Sequence, residues 1–332
     1  MTDRCFPDNG PVARGNTRIT TQGRADFVGH YFRQRTIHSA ISLFGLVIIV
    51  FFLARLTGNP MDLLLPVDTP QSVRDEFSAR HGFDRPLIVQ FGQYLSDLVR
   101  LDMGNSLRDG QPALEHVLAA FPVTLMLSFW AMLLSLTIAV VTGSIAAWQP
   151  GGIFDRIASL ISFLGASIPD FWLAIVGVLV FAVMFRVLPT SGTGTPWHWV
   201  LPVSVLFVRP CGVLTQVVRS SMIAALAASY TKTARARGVK SRTVIFGHAL
   251  RNAMLPIITV AGDQAAGMIN GAVIAETVFG FPGIGKLLID SILFRDFAVI
   301  QAAVMLTALA IFVLNIGIDL LYAILDPRVR HG

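Results

Sequence analysis

The chain reads as an all-α integral membrane protein with six transmembrane helices. Three observations predict this. Hydrophobic residues make up 54% of the 332 residues and charged residues only 14%, well below the quarter or so usual in soluble domains. The apolar residues gather into runs of about twenty or more, the length needed to cross a bilayer. Lys and Arg concentrate between those runs, most densely in Tyr230–Asn252, which holds six of them and no Asp or Glu.

The elements follow in order. Residues 1–35 are polar, show no helical period and read as a flexible cytoplasmic tail. The first apolar core lies too far from Met1, and is too long, to be a signal peptide. Residues 36–328 then form one transmembrane domain, with spans at Ile37–Leu56, Val123–Trp148, Ile157–Val187, Trp199–Val218, Ala253–Val278 and Val299–Leu325. Residues 57–121 carry five Arg against nine Asp/Glu, whereas the N-terminal tail, the Arg156 loop, the 229–252 segment and the C-terminus are basic. Positive charge stays inside, so both termini face the cytoplasm and 57–121 is a long outer loop. Within it, Val73–Arg80 and Pro86–Leu101 repeat their apolar residues at helical spacing. These helices either pack onto the outer ends of the spans or meet a soluble partner.

The 229–252 segment has the form of a helix, a break and a second helix entering the fifth span. Gly238 suits the left-handed turn that ends a helix, and Ser241 is positioned to cap the next one. Its physics alone fits an interfacial helix snorkelling its arginines to lipid headgroups as well as it fits a protein-docking element.

Polar residues inside spans are costly and default to functional candidates. The fifth span carries Asp263, Gln264, Asn270 and Glu276. Asp263 and Gln264 read as lining a translocation pathway. Asn270 joins them as a candidate, although for it and for Glu276 a bond to a neighbouring helix is the simpler reading. Asp170 follows Pro169 at an expected kink near the pathway. Arg209, beside Pro210, calls for an acidic partner. Gly267 and Gly271 form a small-xxx-small pair suited to close helix contact.

Other classes fare worse. The net charge of +6 sets topology in a membrane protein, and a nucleic-acid role fails for a basic segment pinned between two spans. Cys5 and Cys211 match neither a disulfide framework nor a metal spacing. The seven histidines lie in loops, tails or span ends, which disfavours an intramembrane hydrolase. Asp170, Asp263 and Asp319 keep an ion-coupled secondary transporter as an alternative. Gly280-Phe-Pro-Gly-Ile-Gly-Lys286 imitates a phosphate-binding loop, but Leu287 stands where Ser or Thr would hold magnesium and no strand precedes it. It reads as a turn after the fifth span, in a chain without its own ATP site.

Tyr230-Thr-Lys-Thr-Ala-Arg-Ala-Arg-Gly238 followed by His248-Ala-Leu-Arg-Asn-Ala-Met-Leu-Pro256 resembles the coupling segment of dipeptide/oligopeptide-type ABC importer permeases. Arg55-Leu-Thr-Gly-Asn-Pro60, Phe83-Asp-Arg-Pro86, Asp102-Met-Gly-Asn-Ser106, Ser167-Ile-Pro-Asp-Phe-Trp172, Glu276-Thr-Val-Phe279, Pro282-Gly-Ile-Gly285 and Asp319–Arg328 agree in order. The resemblance implies a type I importer permease fold and a non-enzymatic subunit of a bacterial inner-membrane complex. It further implies a second homologous permease, two ATP-binding subunits that carry ATP and magnesium, and an extracytoplasmic substrate-binding protein. The implied cargo is a peptide; relatives also carry nickel chelates, glutathione or sugars. The implied ATPase contacts are Tyr230, Thr233, Ala234, Arg235, Arg237 and Gly238. General importers place an acidic residue and two alanines ahead of that glycine; here Lys232, Thr233 and Ala234 stand there.

Overall fold

A computed structural model describes residues 41–53, 55, 65 and 68–325; the expected N-terminal tail and residues 326–332 lie outside them. The chain divides into two units, Met1–Ser42 and Leu43–Gly332. Among the described residues the elements are helical: α1 (Ile41–Leu53), α2 (Gln71–His81), α3 (Leu87–Val99), α4 (Ala113–Trp148), α5 (Ile153–Ser167), α6 (Asp170–Met184), α7 (Trp197–Ala227), α8 (Ser229–Ala236), α9 (Thr243–Phe279), α10 (Ile284–Leu293) and α11 (Phe297–Leu325). The last seven residues of α6 and the first seven of α9, Thr243–Ala249, are π-helical.

Four helices, α4, α7, α9 and α11, are long and apolar enough to cross a membrane, and a bent pair supplies up to one more. The expected third span, Ile157–Val187, is that pair: α5 and α6 meet at a 98° bend. Pro169 is the cause, because it follows the extended Ile168 and has no amide to continue the ladder. The first expected span appears as the 13 residues of α1; 37–40, 54 and 56 lie outside the described residues. The described residues thus hold four such helices, the bent pair in place of the expected third span, and 13 residues of the expected first.

α4 runs 36 residues, about 54 Å at the usual helical rise, and packs chiefly against α7. Ser135 of α4, fully buried, donates to its own Ala131 carbonyl at 2.7 Å and to Phe207 of α7 at 3.0 Å. A central core unites Leu127, Ala174, Leu206, Met268 and Phe279 from α4, α6, α7 and α9. Ile284, Val299 and Ala303 close one end against Val117. Val218, Met222, Val244 and Ile257 close the other beneath α8.

Both expected outer-loop helices form, and α3 packs onto a span end. The α1 residue Phe51, fully buried, meets the rings of Phe91 and Tyr94 at 5.1 and 5.5 Å. Arg55 donates through Nε to Gln90 Oε1 at 2.9 Å and lies over the Phe297 ring of α11. Ser106 donates to Asp296 at 2.5 Å, tying the stretch before α4 to the start of α11.

At the α8 end, Arg219 of α7 grips Asp155 of α5 through Nε and, at 2.7 Å, through Nη2. Asp155 is 2% exposed and also accepts the Gly151 amide at 2.7 Å. Asp155→Ala leaves Arg219 and that amide without their acceptor and is expected to destabilise the fold by about 2 kcal/mol, a figure held down by the partial exposure of Arg219. Thermal unfolding of the detergent-solubilised protein checks it; an unchanged midpoint would show the pair to be dispensable.

Candidate functional site

Two regions hold the residues singled out in the sequence. The first is a cavity of about 450 Å³ between α6, α7, α9 and α11. Asp170, Asp263, Gln264 and Asn270, on two different helices, all line it, and Arg209 of α7 joins them. Pro169 sets the start of α6 so that Asp170 opens that helix. On α9, residues 263, 267 and 270 share one exposed stripe at helical spacing. Among the described residues Asp170, Arg209 and Asp263 make neither a side-chain hydrogen bond nor an ion pair. The Asp170 Oδ1 is buried without a donor, and Arg209 acts on that carboxylate only through space.

Gly267 and Gly271 are a correction. A methyl group added at either would meet nothing within 4 Å, so the pair forms no tight helix contact among the described residues. Their small size opens the cavity instead.

The second region is α8 and its exit. Gly238 sits at φ +76°, the left-handed region. The Gly238 amide donates to the Arg235 carbonyl at 2.9 Å and the Val239 amide to the Ala234 carbonyl at 3.2 Å. This is the paired bonding of a Schellman end, and Val239 and Ala234 pack on the same cluster beneath. Ser241 does not cap the next helix. The Thr243 and Val244 amides donate to the Lys240 carbonyl, and no side chain caps the start.

The α8 side chains divide by face. Thr231 is fully buried and donates to the Ala225 carbonyl at 2.8 Å, locking α8 to the end of α7. Ala234 packs inward with it. Tyr230, Thr233 and Arg237, spaced i, i+3 and i+7, stand exposed on one side. Arg235, also exposed, lies with its guanidinium 4.7 Å over the Trp148 ring at the end of α4.

The Gly280–Lys286 turn, which imitates a phosphate-binding loop, belongs to a built structure around Glu276. Glu276, fully buried near the end of α9, accepts from the Thr124 hydroxyl at 2.6 Å, the Gly285 amide at 2.7 Å and the Lys286 amide at 3.2 Å. Thr124 in turn accepts the Ile284 amide at 2.9 Å. The carboxylate caps α10 from the end of the preceding helix, where helix amides and dipole favour an anion. A side-chain carbon at Gly283 would overlap the Glu276 carboxyl, and one at Gly285 would meet Val273 at 2.7 Å. The glycines that imitate a phosphate loop make room for the protein's own carboxylate. This also bears out the expectation that Glu276 bonds a neighbouring helix.

A bundle of long apolar helices, a polar cavity among them and a short basic helix bonded to two span ends define a multi-pass membrane protein of the transport class. Residues 139–331 match the family described as binding-protein-dependent transport system inner membrane component, and the chain belongs to that family. It is 36% identical to the oligopeptide transport system permease protein AppB of Bacillus subtilis (strain 168), with 91% of this chain and 99% of that one covered. It is 35% identical to the di/tripeptide transport system permease protein DppB of Pseudomonas aeruginosa (strain UCBPP-PA14), covering 87% and 95%. Among solved structures, the MetNI methionine ABC transporter in inward-facing conformations superposes with a TM-score of 0.55 at 15% identity, over 63% of this chain and 96% of that one; this likeness concerns the fold. Family membership implies work alongside an ATPase and a substrate-binding protein.

Proposed function

We propose that this chain is the permease subunit of an ATP-driven importer of short peptides, forming half of the translocation pathway beside a second, homologous permease. α8 faces the cytoplasm and seats in an ATPase subunit through Tyr230, Thr233 and Arg237, with Gly238 closing the turn. The 57–121 loop faces outward, towards the binding protein. ATP and magnesium belong to the ATPase subunits. Peptide cargo is carried over from the oligopeptide and di/tripeptide transport permeases that this chain is similar to along most of its length.

The observation that carries the reading is the convergence of Asp170, Asp263, Gln264 and Asn270 on one cavity. Polar groups facing a cavity inside a membrane bundle mark a solute route, because lipid would penalise them, a central charge such as an aspartate by about 2.5–3.5 kcal/mol. Reconstitution of the whole importer in proteoliposomes tests it: ATP-driven uptake of tripeptides is expected. Uptake driven by an ion gradient without ATP would favour the secondary transporter instead.

Arg235 of α8 and Arg237 just past its end give a sharper check. Arg237→Glu is expected to abolish co-purification of the ATPase, because a charge-assisted contact becomes repulsion. Arg235→Gln loses only the contact with Trp148, about 0.5–1 kcal/mol at an exposed site, and is expected to keep the ATPase bound. Equal behaviour of the two variants would refute the division of faces.

A further inference from the structure

The pathway cavity holds two carboxylates and one guanidinium, with no ion pair among them. Charges in a membrane bundle are ordinarily paired with one another or with backbone carbonyls. Here the acidic groups stand on α6 and α9, and the basic group stands on α7. Asp170 has one oxygen buried with no donor, and Arg209 acts on it through space without an ion pair. Gln264 and Asn270 add neutral donors and acceptors. At about 450 Å³ the space falls within the range of small-molecule clefts, and it suits a few residues of extended peptide. An unpaired mixed set of charges is complementary to a solute that brings both signs itself.

We infer that this cavity recognises the charged ends of an unblocked short peptide. Asp170 and Asp263 take the α-ammonium, and Arg209 takes the terminal carboxylate. The membrane domain then discriminates among peptides in addition to whatever its binding protein selects. This rests on the peptide-importer reading above. It adds that the spans recognise termini rather than offering a passive channel.

The test uses the complete importer in proteoliposomes, with trialanine, N-acetyl-trialanine and trialanine amide each supplied at concentrations that saturate the binding protein. Wild type is compared with Asp170→Asn, Asp263→Asn and Arg209→Gln for each peptide, so the binding protein's own preferences cancel. Loss of a charge-assisted contact is expected to slow uptake roughly tenfold. The Asp→Asn variants should slow trialanine and its amide but leave the acetylated peptide, which has no ammonium, at the wild-type rate. Arg209→Gln should slow trialanine and the acetylated peptide but spare the amide. ATPase activity of the complex without peptide shows which variants assemble, and any one that assembles decides the matter. Equal loss for all three peptides, or no loss, overturns the inference while leaving peptide import intact. A wild-type importer that moves another solute but none of these peptides overturns both.

Discussion

Glu276→Ala is expected to destabilise the protein by about 3–5 kcal/mol, one of the two largest effects of any single change considered. The substitution removes the acceptor of the Thr124 hydroxyl and of the Gly285 and Lys286 amides, all held in a site with no exposure at Glu276. Each buried donor left unmade costs about 1–3 kcal/mol, and the vacated volume adds a cavity term. Glu276→Gln keeps one acceptor oxygen and should fall between alanine and wild type. Gly285→Val should approach the alanine variant from the other side, by driving a side chain into Val273 and the carboxylate. Thermal unfolding in detergent, followed by tryptophan fluorescence, separates the four proteins. A Glu276→Ala midpoint within a degree of wild type would show that the cradle does not hold α4, α9 and α10 together.

Gly238→Val is expected to cut ATP-driven uptake by tenfold or more while the protein still reaches the membrane. A methyl group at Gly238 would touch nothing within 4 Å, so crowding is not the cause. The cause is φ +76°, which costs an ordinary residue about 1–2 kcal/mol and a β-branched one more. The cheapest escape is to unwind the Schellman end, which moves Arg237 and the exposed face of α8. Gly238→Asn tolerates the left-handed region and should keep most of the activity. ATPase co-purification and uptake are measured together; normal values for the valine variant would remove α8 from the coupling scheme.

What the sequence disclosed, and what it withheld, divides by the range of the interaction. Gly238 and Pro169 announce their backbone consequences locally, so the end of α8 and the break between α5 and α6 were legible. Lipid makes isolated polar residues expensive, which is why Asp170, Asp263, Gln264 and Asn270 stood out before anything placed them together. Pairings across the bundle carry no such local mark. Thr124 and Glu276 lie 152 positions apart and Asp155 and Arg219 lie 64 apart. Nothing in the period of either helix names the partner. Trp148 looked like the end of an apolar run, and only the return of α8 over it gives Arg235 an internal role. The Gly267/Gly271 pair misled because small residues serve close packing and open space equally well; only the neighbouring atoms distinguish the two.

The π-helical stretch Thr243–Ala249 has a consequence for the angular phase of everything after it. An α-helix turns by about 100° per residue, and a wide turn absorbs residues without that full advance. Rewinding the stretch as regular α-helix with its residue count unchanged would rotate the remainder of α9 by about that angle relative to α8. Asp263, Gln264 and Asn270 would then swing off the cavity. The wide turn thus works as a phase setting, fixing which way the polar stripe looks when the basic helix before it is seated.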